Sequence, residues 1–180
     1  MTTYIALLRG INVGGNRKIH MADLRELFAA AGCDDVTSYI QSGNVVFTHP
    51  STASDRLAGD LQQRIEAGTG FDVPVILRTA KAWEDVVRAN PYPDAEPSAL
   101  HVAFLAKTPA PDAVATFDAA RFAPEEFTVV GREVYLHLPD GMGRAKLPPA
   151  LPLIRGTGTA RNWRTVLKLA ELSADLAART

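Results

Sequence analysis

The sequence predicts an α+β protein with a ferredoxin-like βαββαβ N-terminal half, followed by a second, related βαββα half and a long C-terminal helix. Three observations predict this fold class. Short β-rich runs recur along the chain, apolar residues at helical spacing separate them, and a similar order returns after a proline-rich turn. We expect residues 1–80 to form the first half, 81–98 the connecting helix and turn, and 99–180 the second half with the C-terminal helix.

The elements of the first half follow from local patterns. The apolar run at 4–8 is continuous, which suits a strand covered on both faces. Apolar residues between 24 and 31 recur at i, i+3, i+4 and i+7, and Gly32 then ends a helix. Two β-rich runs joined through residues 42–44 indicate a hairpin. The predicted elements are a strand at 4–8, a helix at 24–31, a hairpin of 36–41 and 45–48, a helix around 57–65 and a strand at 73–78.

The second half repeats most of this order. A hairpin is indicated where Gly131 and Arg132 form a Gly-X pair, which suits a type II′ turn. The apolar stripe that begins at Trp163 predicts a long last helix with the Trp side chain in the core. The predicted elements are a connecting helix at 82–89, a proline-rich turn at 91–97, a strand at 101–106, a helix at 112–120, a hairpin of 127–130 and 133–138, and a helix at 162–178.

Charge is distributed unevenly along this chain, although the net charge of its 180 residues is only −1. Residues 1–22 and 141–168 contain no Asp or Glu, and together they carry nine of the 19 Lys and Arg residues. Both acid-free stretches contain glycine-rich loops that lead into predicted helices. The pattern therefore predicts a face, and more narrowly a pocket, for an anion.

Composition excludes several classes of protein and site. No apolar run is long enough for a signal-peptide core or a membrane span, so we expect a cytoplasmic protein without a membrane partner. The single Cys33 excludes an internal disulfide and a multi-cysteine metal site. The four histidines are scattered without an i, i+4 pair, so neither a metal nor a cofactor is expected.

The first candidate anion site is the loop between strand one and helix one. Gly10 and Gly15 have the G-x-x-x-x-G spacing of a P-loop, but Asn16 and Arg17 stand where that motif needs Lys and Ser or Thr. What remains is a glycine-rich backbone with basic neighbours, which can bind an anion or simply form a tight turn. The candidate ligand-binding residues here are Arg9, Asn12, Gly14, Gly15, Asn16 and Lys18.

Three further segments supply candidates. Residues 156–163 place an arginine and two cap-competent side chains where the last helix is expected to begin, and helix N-termini attract anions. Glycines flank two basic residues at 141–147, and polar side chains occupy the first hairpin tip, where turn geometry alone also explains them. The candidates are Thr159, Arg161 and Asn162, then Arg144 and Lys146, then Ser42 and Asn44.

Three motifs in order resemble a known family. Residues 4–15, residues 39–47 and residues 159–163 with the following Thr165-Val166 and Lys168-Leu169 are similar to the bacterial family called domain of unknown function 1697. The resemblance runs over essentially the whole chain and implies an α+β fold with a ferredoxin-like N-terminal part. It implies no established activity. Family members tend to have Ser-Lys-Leu at 145–147, where this chain has Ala, and often Asn at the position of Arg164.

These observations favour a binding module for a phosphate-bearing ligand, either a nucleotide or a nucleic-acid backbone, in a basic site that the two glycine-rich loops form together. One alternative is an enzyme acting on an anionic small molecule, with Arg161 and Lys146 as electrostatic clamps and Ser42, Asn44, Tyr39 or His20 as the reacting group. Another is an interaction protein whose basic face meets an acidic partner. The sequence leaves the oligomeric state open.

Overall fold

The protein is a mixed α+β molecule with two four-stranded antiparallel sheets and a C-terminal helix. The computed structural model describes residues 1–15, 17–155 and 158–179. The strands are β1 (Thr2–Leu8), β2 (Asp34–Tyr39), β3 (Asn44–His49), β4 (Val75–Thr79), β5 (Leu100–Leu105), β6 (Glu126–Val130), β7 (Glu133–His137) and β8 (Gly158–Asn162). The helices are α1 (Met21–Ala30), α2 (Ser54–Thr69), α3 (Ala80–Arg88), α4 (Pro111–Ala115), α5 (Leu147–Ala150) and α6 (Trp163–Ala177), with a 3₁₀ turn at Ala119–Phe122.

The chain divides into two compact units. Unit 1 is Met1–Asp85 with Lys168–Thr180, and unit 2 is Val86–Leu167. Both α3 and α6 therefore begin in one unit and end in the other. The boundaries predicted from sequence follow the order of elements, whereas these units follow spatial compactness and assign the last residues of the chain to unit 1.

The sheet of unit 1 has the order β2-β3-β1-β4, with β1 antiparallel to both of its neighbours. Its core forms because alternate residues of β1 and β3 pack against the apolar ridges of α1 and α2. Tyr4 stacks on Phe47 and Phe28 meets the same ring edge-on, with centroids 5.7 and 5.2 Å apart. The helix expected from the spacing of Leu57, Leu61 and Ile65 is α2, and all three side chains are buried.

The sheet of unit 2 has the order β6-β7-β5-β8, which corrects one prediction. The sequence predicted βαββα without a fourth strand, but Gly158–Asn162 forms β8 and pairs with β5 from His101↔Asn162 to Leu105↔Gly158. The segment lacks the apolar alternation of a strand. Residues 158–162 form a strand because the backbone N–H and C=O groups along that side of β5 require hydrogen-bond partners. The side chains of residues 158–162 do not indicate this requirement.

Two further elements of unit 2 differ from expectation. The helix predicted at 112–120 is the short α4 followed by the separate 3₁₀ turn. The segment after the second hairpin, predicted as a basic turn, leads into the four-residue α5, with proline near its start. Proline is accepted in a first helical turn because its missing N–H has no helical partner there.

Both sheets repeat the same register. Ile5 lies opposite Arg78 and Val46 in unit 1, as Val102 lies opposite Arg161 and Tyr135 in unit 2. The amide of Leu8 donates to the carbonyl of Gly43 (2.8 Å), and the amide of Leu105 donates to the carbonyl of Arg132 (2.9 Å) at the same position. The two units are therefore comparable residue by residue.

That comparison shows where the units differ. The connection from β1 to α1 is residues 9–20, whereas the connection from β5 to α4 is only 106–110. The turn from β2 to β3 is residues 40–43, whereas the turn from β6 to β7 is only 131–132. Both extensions of unit 1 lie at the same end of its sheet. Within the described ranges, no helix combines the length and apolar character needed to cross a membrane.

Candidate functional site

Asn12 fixes the path of the loop between β1 and α1. Its backbone is left-handed (φ 55°), and its amide Nδ2 donates to the carbonyls of Ile19 (3.0 Å) and Gln41 (2.9 Å). Its Oδ1 accepts from the amide of Ile19 (2.9 Å). Asn tolerates the left-handed region better than most residues. One side chain thus closes the loop on itself and ties it to the β2–β3 turn.

The β2–β3 turn requires an unusual backbone. Gly43 has φ 76°, and a Cβ there would lie 2.7 Å from Leu8 Cβ, so only glycine fits. Ile40 also has a positive φ (50°), although it is β-branched, and its side chain is half exposed. Asn44 is fully buried, and its Nδ2 donates to the carbonyl of Tyr39 and to Ser42 Oγ. This turn is therefore rigidly placed beside the loop.

Between the loop and the turn lies a cavity of about 330 Å³, which we call the loop cavity. Its lining residues are Asn12, Gly15, Lys18, Ile19, His20, Met21 and Gln41. Lys18 and His20 are the members of this lining that can carry charge, and neither is acidic. Met21 is the first residue of α1, and His20 directly precedes it as the N-cap residue without making a side-chain cap hydrogen bond. The first amides of a helix have no helical partner, so this helix start presents amide donors beside Lys18, and Asp23 in the same first turn offsets part of their positive polarity.

The structure brings together three of the predicted residues of the first loop, Asn12, Gly15 and Lys18, in this lining. The amide group of the Asn12 side chain is already hydrogen-bonded within the loop and to the β2–β3 turn. Arg9, Gly14, Ser42 and Asn44 are not among the lining residues, and the amide of Arg9 donates to the carbonyl of Pro74 (3.1 Å). Asn16 lies outside the described residues.

Sequence reasoning missed part of the lining. Ile19 and Met21 carry no chemical motif, and Gln41 read as an ordinary turn residue. The signal that was available is the paired occurrence of a long glycine-rich loop and a four-residue turn. In the βαββαβ order of unit 1, with β1 antiparallel to β3, these two segments lie at the same end of the sheet.

Arg161 has a different position from the one predicted. It lies within β8 and not at the start of α6, and its side chain is only 8% exposed. Its Nη1 donates to Thr159 Oγ1 (2.7 Å) and to the carbonyl of Ala160 (2.9 Å), and burial lowers its pKa to about 10. Thr159 is also buried, and its hydroxyl accepts a hydrogen bond from Arg161 instead of capping a helix.

Unit 1 has a counterpart of Arg161. Arg78 occupies the same register position on β4, is 4% exposed, and likewise donates to the carbonyl of the preceding residue, Leu77 (2.9 Å). The residues that follow are also equivalent. Thr79 Oγ1 accepts from the amide of Ala82 in α3, as Asn162 Oδ1 accepts from the amide of Thr165 in α6. The predicted capping role of Asn162 is confirmed.

The turn that carries Arg144 and Lys146 already holds an anionic group of its own chain. The amides of Lys146 and Leu147 donate to the carboxylate of Glu125 at 2.7–3.1 Å. The prediction for this turn concerned its two basic side chains and an external anion, and it did not foresee that Glu125 accepts hydrogen bonds from the backbone amides. Both basic side chains are exposed. The sharing of one pocket by this turn and the loop of unit 1 stays a prediction.

Two other features are structural. Cys33 is buried, and burial, with the nearby Asp34 carboxylate, raises the pKa of its thiol to about 12, so it is a poor nucleophile. A larger open groove of about 670 Å³ runs beside α2, where Asp60 lies among Arg56 and Arg64. That mixture of charges is typical of a solvated helix face. Within the described ranges, no group of three or more His, Cys, Asp or Glu side chains is arranged to hold a metal.

Comparisons with known proteins agree with this architecture. The conserved bacterial protein SP0830 from Streptococcus pneumoniae has a solved structure that superposes with a TM-score of 0.80 over 97% of this chain and 99% of that chain, at 24% sequence identity. This likeness shows the fold. No curated protein matched the chain. The family described as protein of unknown function, DUF1697, matches residues 1–135, so the chain belongs to the DUF1697 family.

Proposed function

We propose that this protein is a binding module for a phosphate-bearing ligand, which the loop cavity of unit 1 receives. The observation that carries the proposal is the character of that cavity. Its volume is about 330 Å³, and its described lining residues include a lysine, a histidine, two amide side chains and a helix start but no carboxylate. A cavity of this size lies at the lower end of those that hold small ligands.

Each part of the lining has a chemical role in the proposal. Lys18 supplies a compact, exposed positive charge for phosphate oxygens. The start of α1 supplies unpaired amides and the positive end of the helix dipole. The Gln41 side chain adds amide donors, while Asn12 holds the loop in place and contributes no new contact.

The comparison of the two units supports the choice of this cavity. Both sheets share one register, yet the loop at 9–20 and the turn at 40–43 are longer in unit 1 than their equivalents in unit 2. Loop extensions on a shared scaffold are where binding residues are most often placed. Among the described residues of these two segments, three other than glycine have a left-handed backbone, namely Asn12, Arg17 and Ile40. Such backbone tends to occur at ligand sites.

Two further inferences accompany the proposal. We infer that both units are ferredoxin-like, because each has the order βαββαβ and its third strand lies between the second and the first in an antiparallel sheet. We also keep the cytoplasm as the proposed location, since a chain of this length with one cysteine has no disulfide framework.

Thermal denaturation in the presence of inorganic pyrophosphate, a nucleoside diphosphate and a short oligonucleotide tests the proposal. A ligand at 100 times its Kd stabilises the folded state by about 2.7 kcal/mol, which raises Tm by about 5–10 °C for a chain of this size. Lys18→Ala should remove the shift. Lys81→Ala is the matched control, because Lys81 is exposed and lies in α3, where it pairs with Asp85. The proposal fails if no phosphate compound shifts Tm, or if Lys18→Ala binds as the parent does.

A Lys146→Ala variant tests the two-loop prediction separately. If the glycine-rich loops share the ligand, this variant should weaken binding as Lys18→Ala does. If it binds as the parent does, unit 1 holds the ligand by itself.

An enzyme acting on an anionic small molecule is the second candidate. His20 lines the loop cavity, and an imidazole can act as a general acid or base. Turnover of a bound phosphate compound that His20→Gln abolishes without weakening binding would favour this candidate over a binding module.

A further inference from the structure

A second depression begins where the loop cavity ends. This open groove of about 490 Å³, which we call the α1 groove, shares Lys18 and Ile19 with the loop cavity. Its lining residues are Lys18, Ile19, Asp23, Glu26, Leu27, Ala30, Gly68, Thr69 and Phe71. Lys18, the positive side chain of the proposed phosphate site, therefore also lines the larger α1 groove.

One wall of the α1 groove is acidic. Asp23 and Glu26 are three residues apart on α1, so their side chains lie on the same face of the helix, and both are exposed. From Asp23 to Ala30 the helix axis advances by roughly 10 Å, about the length of a nucleoside monophosphate. Carboxylates accept hydrogen bonds from sugar hydroxyls and from exocyclic amino groups.

The rest of the groove lining is mostly apolar, with Leu27 on α1 itself, directly after Glu26, and Phe71 beyond the end of α2. Phe71 is half-buried and follows the end of α2, where its amide donates to Thr69 Oγ1 (3.2 Å). Leu27 packs closely on α2, since a Cβ at position 68 would lie 2.6 Å from its Cδ2. An aromatic ring beside an aliphatic side chain is a surface on which a planar base can stack.

From this arrangement we infer that the ligand is a mononucleotide, and this inference rests on the proposed function. Its phosphate lies beside Lys18 in the loop cavity, its sugar hydroxyls donate to Asp23 and Glu26, and its base packs against Phe71 and Leu27. A nucleic-acid strand is disfavoured, because its next phosphate would meet two carboxylates, and like charges in contact cost binding energy.

Isothermal titration calorimetry with inorganic phosphate, ribose 5-phosphate, the four common nucleoside 5′-monophosphates and a single-stranded decanucleotide separates the possibilities. We expect at least one nucleoside monophosphate to bind ten or more times tighter than inorganic phosphate. The double variant Asp23→Asn/Glu26→Gln should lose about tenfold for the nucleotide, or about 1.4 kcal/mol, and keep its affinity for inorganic phosphate. Lys18→Ala should weaken both.

Glu66→Gln is the matched control, since Glu66 is an exposed carboxylate of α2 that lines neither space. Equal affinity for phosphate and all four nucleotides, or unchanged nucleotide binding by the double variant, overturns the mononucleotide inference and leaves the phosphate site standing. Tighter binding of the decanucleotide, strengthened further in the double variant, overturns it in favour of a nucleic-acid backbone. If none of the probes binds the parent protein, the proposed function itself fails. Unchanged Tm values for the variants exclude a folding defect as the cause.

Discussion

Replacing Gly43 in the β2–β3 turn with alanine should destabilise the protein substantially. Gly43 combines a left-handed backbone with the closest approach to Leu8, whose Cβ would be 2.7 Å from the new atom, and to Ile11, whose Cδ1 would be 2.9 Å away. A Cβ is fixed to its own backbone, so the contact with Leu8 cannot be relieved by rotating a side chain. The strand and the turn must instead move apart.

The cost has two parts. An L-residue in the left-handed region costs roughly 1–2 kcal/mol, and overpacking in a well-packed core costs roughly 1–3 kcal/mol. We therefore expect the free energy of unfolding to fall by about 2–5 kcal/mol. For a chain of this size each kcal/mol lowers Tm by about 2–4 °C, so Tm should fall by about 4–20 °C. The hydrogen bond from the Leu8 amide to the Gly43 carbonyl should lengthen at the same time.

Thermal and urea denaturation measure the loss, and Gly70→Ala separates its two parts. Gly70 has nearly the same φ (75°, against 76°), but a Cβ there meets no atom within 4 Å, so that variant should show the backbone cost alone. If Gly43→Ala is no less stable than Gly70→Ala, the steric argument is wrong. Gly43→Ala should also disturb the loop cavity, because it displaces the turn whose Gln41 carbonyl accepts a hydrogen bond from Asn12 Nδ2.

Three further predictions concern other parts of the molecule. Glu125→Gln should lower Tm by about 2–4 °C, since charge-assisted hydrogen bonds to the Lys146 and Leu147 amides are stronger than neutral ones, whereas Glu126→Gln should not; equal effects would contradict the assigned role. Burial lowers the pKa of His101, whose Nδ1 has no hydrogen-bond partner among the described residues and whose register partners Leu136 and Asn162 are uncharged. Stability present above the unfolded-state pKa of 6.5 should therefore be lost as the pH falls below it, and His101→Phe should lose less over that range in urea denaturation. Cys33 should resist a thiol reagent at about pH 8 until denaturant unfolds the chain, because its thiolate is disfavoured; rapid labelling of the native protein would count against this.

Much of the fold was predictable because its signals are local. The spacing of Leu57, Leu61 and Ile65 identifies α2, and the two β-rich runs around residues 42–44 identify the β2–β3 hairpin. The cap at Asn162 follows from residue type and from the apolar stripe that begins at Trp163. The candidate site was predictable in part. The glycine-rich loop and Lys18 can be recognised in the linear sequence, because charge and backbone freedom are properties of individual residues.

What the sequence by itself determined is thus the class of the fold, most of its elements and a glycine-rich basic loop. Only the tertiary structure decided that residues 158–162 form β8 and that Arg161 is buried in that strand. It also decided that the Glu125 carboxylate accepts hydrogen bonds from backbone amides of a turn more than 20 residues away. It also placed Gln41 beside Asn12 and the carboxylates of α1 beside Lys18. These facts depend on which backbone groups need partners and which side chains share a space. Both are set by contacts between segments distant along the chain, and no local pattern of residues encodes them.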